Sequence, residues 1–279
     1  MKYGFIGAGK VGFSLGKYLA DNGLQVTGYY SEFEEDALEA SQFTKTNHYT
    51  NLEKLVEDSD VLFLTVTDGQ IGNVWNQLKS SHINNKIVCH CSGALSSEIF
   101  SGIAETKSFG YSIHPLFAVS NKYESYKELS NSYFTIEGSS EKIQEMRDIF
   151  VKMGNEVCII SKEDKIKYHA AAAMASNLVV GVINASENLL KECGFDEQSA
   201  HKALASIIRG NVEHIIDDGT VGALTGPIER NDISTVKKHL LMLEGNNKEI
   251  YKCVSKEIVN IAEIKNKDRD YSEMKEILK

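Results

Sequence analysis

Short runs of β-branched and aromatic residues alternate with amphipathic stretches over the first 160 residues. The strand candidates are Lys2–Ile6, Gln25–Tyr30, Thr46–His48, Val61–Val66, Lys86–His90, Lys107–Ile113, Tyr133–Glu137 and Glu156–Ile160. The helix candidates between them are Val11–Asp21, Glu34–Gln42, Leu52–Glu57, Ile71–Leu78, Ser96–Ala104 and Glu141–Lys152. This alternation is typical of βαβ units, so it predicts an α/β fold with a doubly wound parallel sheet.

After residue 160 the pattern is helical throughout. Periodicity of 3.6 residues runs through Ile166–Cys193, Glu197–Asp217, Ile233–Leu243 and Asn247–Ile264. Gly194 and Gly219 stand where helix ends are expected. The charged tail from Lys265 predicts a solvated helix or a frayed end. The chain is therefore expected to divide into an α/β domain (1–160) and an all-helical domain (161–279).

A glycine-rich turn follows the first predicted strand. It consists of Gly7, Ala8, Gly9, Lys10, Val11 and Gly12 and leads into a predicted helix. In this GxGxxG arrangement the first glycine permits a tight turn, the second admits a pyrophosphate to the backbone, and the third lets helix and sheet pack closely. The helix N-terminus adds free N–H groups and a positive dipole end. The pattern predicts a Rossmann-like dinucleotide-binding domain.

Composition narrows the classes of partner. The net charge is −9, with no stripe of Lys and Arg, so nucleic acid is not an expected partner. No uninterrupted apolar run approaches the ~18 residues of a membrane helix, and the first strand leaves no room for a leader, so neither a membrane nor a secreted protein is expected. The five cysteines lack framework spacing, which favours reduced thiols in the cytoplasm.

The end of the second predicted strand bears on the choice of dinucleotide. NAD-binding domains usually place an acid there for the ribose 2′-hydroxyl, whereas this strand ends Tyr30-Ser31. Ser31 can donate to a 2′-phosphate, which favours NADP. Glu32 follows immediately and would repel that phosphate or bond the ribose, so NAD stays an alternative. The purely structural alternative for Glu32 is that it is an exposed residue in the first turn of the next helix.

Further candidates follow the next strands. Val66 and Thr67 are expected to lie against the cofactor, because loops at the carboxyl ends of parallel strands line the ligand crevice. Asp68 is equally well explained as an N-cap. In Cys89-His90-Cys91 neighbouring side chains point to opposite faces of a strand, which argues against a metal site. Ser92, with Gly93, is expected beside the nicotinamide.

Four polar residues are candidates for binding the substrate or donating a proton to it. Pro115 holds His114 extended at a strand end, where it can donate a proton, although a backbone-tied turn histidine explains it as well. His169 and Asn177 lie two turns apart on a helix of small residues, and dense helix packing is their alternative. Arg230 is a candidate carboxylate clamp or a partner in a structural ion pair beside an N-capping Asp232.

Several segments together resemble a known family. GFIGAGKVG, VTD, HCSGALS, SIHPLF, YHAAAAMASN and ALTGPIERNDISTVKKHL are similar to Rossmann-like oxidoreductases that carry a C-terminal helical domain of unknown function. The family is related to pyrroline-5-carboxylate reductases and ketopantoate reductases and includes an alternative type of the latter. The resemblance implies NADPH-dependent reduction of 2-dehydropantoate to pantoate, and it implies that Ser92-Gly93 meets nicotinamide and substrate.

Two positions depart from the relatives. Ser31-Glu32-Phe33 stands where related chains often have Ser-Arg-Ser, which weakens the NADP prediction, and Ala173 stands where ordinary ketopantoate reductases have a lysine. The resulting hypothesis is a cytoplasmic NADP-dependent reductase of a small 2-oxo acid. His169 or His114 is its proton donor, Ser92 and Asn177 orient the carbonyl, and Arg230 binds the carboxylate. The alternatives are a cyclic-imine reductase and a non-catalytic NAD(P)-binding regulator. A homodimer through the helical domain is expected.

Overall fold

The strands of the computed structural model, which describes residues 1–81 and 83–279, form one sheet. Within that part of the chain the strands are β1 (Lys2–Ile6), β2 (Gln25–Tyr30), β3 (Asn47–His48), β4 (Val61–Leu64), β5 (Ile87–His90), β6 (Phe109–Pro115), β7 (Phe134–Gly138) and β8 (Val157–Ile159). Their order is β3-β2-β1-β4-β5-β6-β7-β8. The predicted strands are thus confirmed, and the fold is the expected Rossmann-like one.

Helices cover both faces of this sheet. They are α1 (Lys10–Asp21), α2 (Glu34–Thr44), α3 (Leu52–Asp58), α4 (Asp68–Ser80) and α5 (Ile143–Lys152). On one face Phe5 and Phe63 of the sheet pack with Phe13 of α1. On the other, Leu62 of β4 packs with Trp75 of α4. Because both faces are covered, all four residues of β4 are apolar and buried.

The predicted doubly wound parallel sheet is confirmed as a mostly parallel one, in which β7 runs antiparallel to β6. Residues 116–133 connect these strands without an α-helix, and a parallel pair needs a crossover. The helix predicted at Ser96–Ala104 is instead two short 3₁₀ turns, Ser97–Ile99 and Ile103–Thr106. Gly102, at φ 71°, lies between them in a left-handed conformation that interrupts a helix.

The rest of the chain is helical, as predicted. Its helices are α6 (Lys165–Ala175), α7 (Asn177–Glu192), α8 (Glu197–Ala223), α9 (Ile233–Met242), α10 (Gly245–Lys265) and α11 (Ser272–Ile277). The chain forms two compact units, Met1–Ala173 and Met174–Lys279, so most of α6 belongs to the first unit rather than to a domain starting at 161. The tail is not frayed, since Met274 and Leu278 are fully buried in the second unit's core with Val236.

Two irregular residues shape these helices. The helix predicted over Ile166–Cys193 breaks at Ser176, whose φ of −125° and ψ of −82° are not helical. Gly219, at φ 70° and ψ 174°, kinks α8 where a helix end was predicted. Together α6 and α7, over Lys165–Glu192, contain an apolar window that is long enough, by length and composition only, to cross a membrane. That stretch exceeds the apolar length expected from the sequence.

Candidate active site

Four neighbouring parallel strands end at one edge of the sheet. The register pairs Ile6 of β1 with Leu64 of β4, Leu64 with His90 of β5, and His90 with Ser112 of β6. The glycine turn follows β1, Val66 and Thr67 follow β4, and Ser92 follows β5. The strand order changes direction between β1 and β4, and such a switch point is where open α/β sheets bind ligands.

The glycine turn has the geometry that the sequence predicts. Gly7 has φ 95°, and a Cβ there would lie 2.9 Å from the Thr65 carbonyl. A Cβ on Gly12 would lie 2.3 Å from Thr65 Oγ1, so α1 packs closely on the strand end. The Thr65 hydroxyl donates to the Gly7 carbonyl at 2.7 Å. The shape of the turn is therefore held by β4 as well as by its own glycines.

Gly9 differs from the other two glycines because it faces open space. It is exposed, and the nearest atom to a Cβ there would be the Thr65 carbonyl oxygen at 3.9 Å. It is the N-cap of α1, and no side chain of the described residues caps that end. The first amides of the helix are thus open to an anion, together with the positive end of the helix dipole. The protein's own packing explains Gly7 and Gly12, whereas Gly9 leaves open space in front of the first turn of α1.

A cleft of about 800 Å³ opens beside this turn. Six of the predicted cofactor residues line it: Gly7, Ala8, Gly9, Ser31, Val66 and Thr67. Lys10 and Val11 form the first turn of α1, and Gly12 packs on Thr65. A volume of this size accommodates a drug-sized ligand, so it suits a large part of a dinucleotide.

The end of the cleft after β2 is acidic. Glu32 and Asp36 line it together with Ser31 and the exposed ring of Phe33, and none of its described lining residues is Lys or Arg. The Ser31 hydroxyl accepts the Phe33 N–H at 3.3 Å. Glu32 precedes α2, which starts at Glu34, so the first-turn interpretation of Glu32 is wrong. These charges suit a ribose hydroxyl better than a phosphate.

Ser92 organises the loop after β5. Its hydroxyl donates to Asp68 Oδ2 at 2.7 Å and accepts the Leu95 N–H at 3.0 Å and the Ala94 N–H at 3.2 Å. The N-cap of α4 is Thr67, so the prediction that Asp68 is the N-cap is wrong. The Asp68 carboxylate instead joins the loop after β4 to the loop after β5 through its hydrogen bond with Ser92. These bonds occupy the hydroxyl that the sequence assigned to substrate, and that role stays a prediction.

His90 is a fully buried anchor of the same loop. Its Nδ1 accepts the Ser92 N–H at 3.2 Å, so the ring hydrogen lies on Nε2, which is 3.2 Å from the Ser96 carbonyl. Burial lowers the pKa of His90 to about 4, so the ring is neutral near pH 7. Of the described residues, no group of three or more His, Cys, Asp or Glu side chains is arranged to hold a metal.

Two predicted histidines meet at Gly93. A Cβ on Gly93 would lie 2.9 Å from Nε2 of His114 and 2.8 Å from Cδ2 of His169. The Nδ1 of His114 is bonded to the Tyr168 hydroxyl at 2.7 Å. Burial and the nearby Lys165 ammonium lower the pKa of His114 to about 4. The backbone-tied alternative for His114 is therefore not observed, because its hydrogen bond goes to a side chain.

Sequence reasoning missed Lys165, which lies beneath the site. It is 1% exposed, and its Nζ donates to the Ser112 hydroxyl at 2.7 Å and the Ser92 carbonyl at 2.9 Å. Burial lowers its pKa to about 8. A signal was present, because Lys165, Tyr168 and His169 are three and four residues apart and share one face of a helix.

The other two predicted substrate residues belong to the second unit. Asn177 is the first residue of α7, and Arg230 lies in the turn before α9, and both are exposed. Asp232 caps α9 by accepting the Thr235 N–H at 3.0 Å, as the capping interpretation predicts. The substrate roles of Asn177 and Arg230 stay predictions.

Family models match both parts of the chain. Residues 1–115 match a Rossmann-like domain, and residues 132–258 match a domain of unknown function, DUF2520. The chain therefore carries a Rossmann-like domain followed by a DUF2520 domain, which confirms the two-domain organisation that the resemblance implied. No curated protein matches the chain.

Solved structures share the whole fold. Protein TM1727 from Thermotoga maritima is 24% identical over 95% of this chain and 99% of its own, with a TM-score of 0.77. Plasmodium falciparum pyrroline carboxylate reductase, solved with NADP bound, is 18% identical (96% and 97% covered, TM-score 0.61). An Aspergillus terreus reductive aminase, in complex with NADPH and ethyl-5-oxohexanoate, is 11% identical over 93% of this chain and 93% of its own, with a TM-score of 0.65. At these identities the likeness establishes the fold.

Proposed function

We propose that this protein is an NADP-dependent reductase of a small 2-oxo acid, most specifically 2-dehydropantoate. One observation carries the proposal: an open glycine turn follows β1, and at the same edge of the sheet Gly93, in the loop after β5, contacts His114 at the end of β6 and His169 of α6. The turn is suited to a pyrophosphate and the two histidines to proton transfer. The fold and the sequence resemblance support the same assignment.

The cofactor fits the residues present. The uncapped amides at Gly9 and the first turn of α1 suit the pyrophosphate, and Ser31 lies at the adenosine end. Val66, Thr67 and Ser92 are the proposed contacts at the nicotinamide end. When bound, the dinucleotide supplies the hydride. NADP is supported by structural neighbours that were solved with NADP or NADPH, whereas Glu32 and Asp36 favour NAD as the second candidate.

His114 is the proposed proton donor. Reduction of a carbonyl generates an alkoxide, and a well-placed acid contributes about 10²–10⁴ in rate. Because His114 is neutral at pH 7, it acts as an uncharged donor through Nε2, the atom that faces Gly93. His169 lies against the same glycine and is the second candidate for this role.

The substrate assignment rests on the resemblance. A 2-oxo acid needs a donor for its carbonyl and a cation for its carboxylate, and Asn177, Ser92 and Arg230 are the proposed residues for these contacts. Cyclic-imine reduction is the second candidate function, because neighbours of the same fold include a pyrroline carboxylate reductase and a reductive aminase.

The cofactor site is tested at Gly9, where an added methyl meets no protein atom closer than 3.9 Å. Gly9→Ala should weaken NADPH binding at least about tenfold, because the methyl occupies the space of the phosphates, and should lower the stability by about 1 kcal/mol or less, because alanine is a poorer N-cap than glycine. Gly210→Ala, also in open space but inside α8, is the control: it should leave NADPH affinity unchanged and raise the stability by up to about 1 kcal/mol, because alanine is the better helix former. Equal NADPH affinity in both variants, measured by calorimetry, would remove the glycine turn from the site.

Turnover is tested by following the absorbance of the reduced cofactor. NADPH and NADH are each offered with 2-dehydropantoate, with pyrroline-5-carboxylate and with no acceptor. Oxidation with the 2-oxo acid supports the proposal, and oxidation only with the imine supports the second candidate. Tight binding with no oxidation across such a panel would instead identify a non-catalytic NAD(P)-binding protein.

A homodimer formed through the helical unit is also part of the proposal. None of the described residues of α7 is buried, and Leu178 and Val180 expose most of their surface. Apolar patches of this kind mark interaction sites, and a second copy is the proposed occupant.

The five cysteines are all free, which supports a reducing cytoplasm as the location.

A further inference from the structure

A short hydrogen bond lies behind His114, on the side away from Gly93. The Tyr168 hydroxyl is 2.7 Å from Nδ1, and the two rings meet edge to face at 84°. Both residues are partly buried. Either the tyrosine donates to an unprotonated Nδ1, or the imidazole donates to the tyrosine oxygen. The choice decides which ring nitrogen of His114 carries its hydrogen toward the cleft.

The surroundings of Tyr168 favour donation by the tyrosine. Burial raises the pKa of Tyr168, so its hydroxyl keeps its hydrogen near pH 7. The Tyr168 hydroxyl has a second neighbour, the side chain of Thr135, besides Nδ1 of His114 at 2.7 Å. If the imidazole donated instead, the tyrosine hydrogen would turn to Thr135, and the buried Thr135 hydroxyl, which has no further partner among the described residues, would have nowhere to donate its own hydrogen. Leaving a buried donor without an acceptor costs free energy, so donation from Thr135 to the tyrosine oxygen and from the tyrosine to Nδ1 is favoured.

We infer that Tyr168 is a positioning residue that donates to Nδ1 of His114, holds the ring hydrogen on Nε2 facing Gly93, and resupplies the proton given to substrate. The inference rests on the proposed role of His114 for its catalytic part. The tautomer itself is a property of the free protein.

The proton balance of this relay is simple. As the Nε2–H proton passes to the substrate oxygen, the Tyr168 O–H proton passes to Nδ1, so His114 ends neutral. Tyr168 becomes a phenolate and recovers its proton from water, which reaches it because the residue is only partly buried. The Lys165 ammonium, 5.7 Å from the centre of the Tyr168 ring, offsets the transient negative charge.

The charges around His114 also favour a neutral ring. Burial is the largest effect that lowers the pKa of His114, followed by Lys165 and His169. The Asp68 carboxylate acts in the opposite direction but more weakly than those groups, and His90 adds the smallest contribution against protonation. A neutral imidazole carries one ring hydrogen, on either Nδ1 or Nε2, and only the Nε2–H form can donate toward Gly93. A group that fixes the tautomer of His114 therefore has a measurable effect.

The test uses nitrogen-15 NMR of labelled full-length protein without cofactor. In the wild type near neutral pH, Nε2 of His114 should be protonated and Nδ1 should not. In Tyr168→Phe the two tautomers should mix. Tyr251→Phe is the matched control, because Tyr251 makes the same contact with Nδ1 of His239, at 2.8 Å and 87°. It should leave the His114 signals unchanged.

Kinetics provide the second arm. Tyr168→Phe should lower kcat about 10- to 100-fold with KM little changed, and the loss should depend on pH in a way that Tyr251→Phe does not show. A hydrogen on Nδ1 in the wild type, or identical spectra in wild type and Tyr168→Phe, would overturn the inference. If the NMR spectra show the ring hydrogen of His114 on Nε2 but the protein oxidises no NADPH, the proposed function is refuted. The tautomer assignment then still stands.

Discussion

At the scale of single residues, the site is defined by what lies in contact with Gly93. The residue is buried in the loop after β5, and the imidazoles of His114 and His169 both approach within contact of the position where a side chain would begin. Glycine is therefore needed here for space. The resemblance implied that Gly93 meets substrate, and the structure supplies a steric reason for its small size.

Substituting Gly93 tests this directly. In Gly93→Ala the added methyl would lie under 3.0 Å from both imidazoles, so they must shift. Because a displacement of about 1 Å at catalytic groups costs on the order of 10²-fold, kcat should fall by about that factor. The free energy of unfolding should fall by about 1–3 kcal/mol, because the added methyl overpacks a buried position and forces the two imidazoles to move.

The control for this variant is Gly72→Ala in α4. Its methyl would make an ordinary contact with Ile99 Cδ1 at 3.5 Å, so activity should be retained. Steady-state rates and denaturant unfolding measured side by side distinguish the two cases. Full activity in Gly93→Ala would show that the two histidines do not work at this glycine.

At the scale of elements, the loop after β5 is held by buried polar groups rather than by a hydrophobic core. His90 bonds the Ser92 N–H near the start of the loop and the Ser96 carbonyl at its end. Asp68 accepts the Ser92 hydroxyl, and Lys165 donates to the Ser92 carbonyl. Since His90 is neutral in the folded protein and has a pKa near 6.5 when unfolded, the unfolded state takes up more protons between these two values.

This predicts a pH-dependent stability. The folded pKa is depressed, so the stabilising contribution of neutral His90 is complete above pH 6.5 and is lost as pH falls toward about 4. The free energy of unfolding, measured with urea, should drop by up to about 3 kcal/mol across that window because of this group, and His114 adds to the slope in the same direction. His90→Gln should flatten the slope, and an unchanged slope would refute the assignment.

The sequence predicted the elements well and their connections less well. Buried runs such as Val61–Leu64 and the glycine turn are local patterns, and both were found where expected. The antiparallel β7 depends on how residues 116–133 connect two strands, which periodicity does not report. Lys165 was missed because its burial is created by Ser92 and Ser112, which belong to distant parts of the chain.

At the scale of the whole molecule, the exposed apolar surface of α7 is the main feature that the single chain leaves unexplained. Its sixteen residues include none that are buried, and α7 continues an apolar stretch of membrane-spanning length. One side of α7 packs against α8, but Leu178 and Val180 stay mostly exposed. An apolar helix face that is left uncovered needs a partner, which in a bundle is another helix. The proposed second copy supplies it.

Light scattering at micromolar concentration tests the dimer. The wild type should have twice the mass of one chain, and Val180→Glu, at a position 67% exposed in the single chain, should have half of that. Val151→Glu in α5, 40% exposed, is the control and should stay dimeric. A monomeric wild type would refute the proposal, and sedimentation with lipid vesicles would identify a bilayer as the partner instead.

Thr65 has a thermodynamic consequence. By holding the Gly7 carbonyl from the end of the neighbouring strand, it fixes the shape of the glycine turn in the protein without ligand. Ligand association then needs little ordering of the chain, so most of the intrinsic binding energy is retained as affinity. Removing the hydroxyl, with the carbonyl no longer tethered, would convert a rigid receptor into one that must be assembled at each encounter.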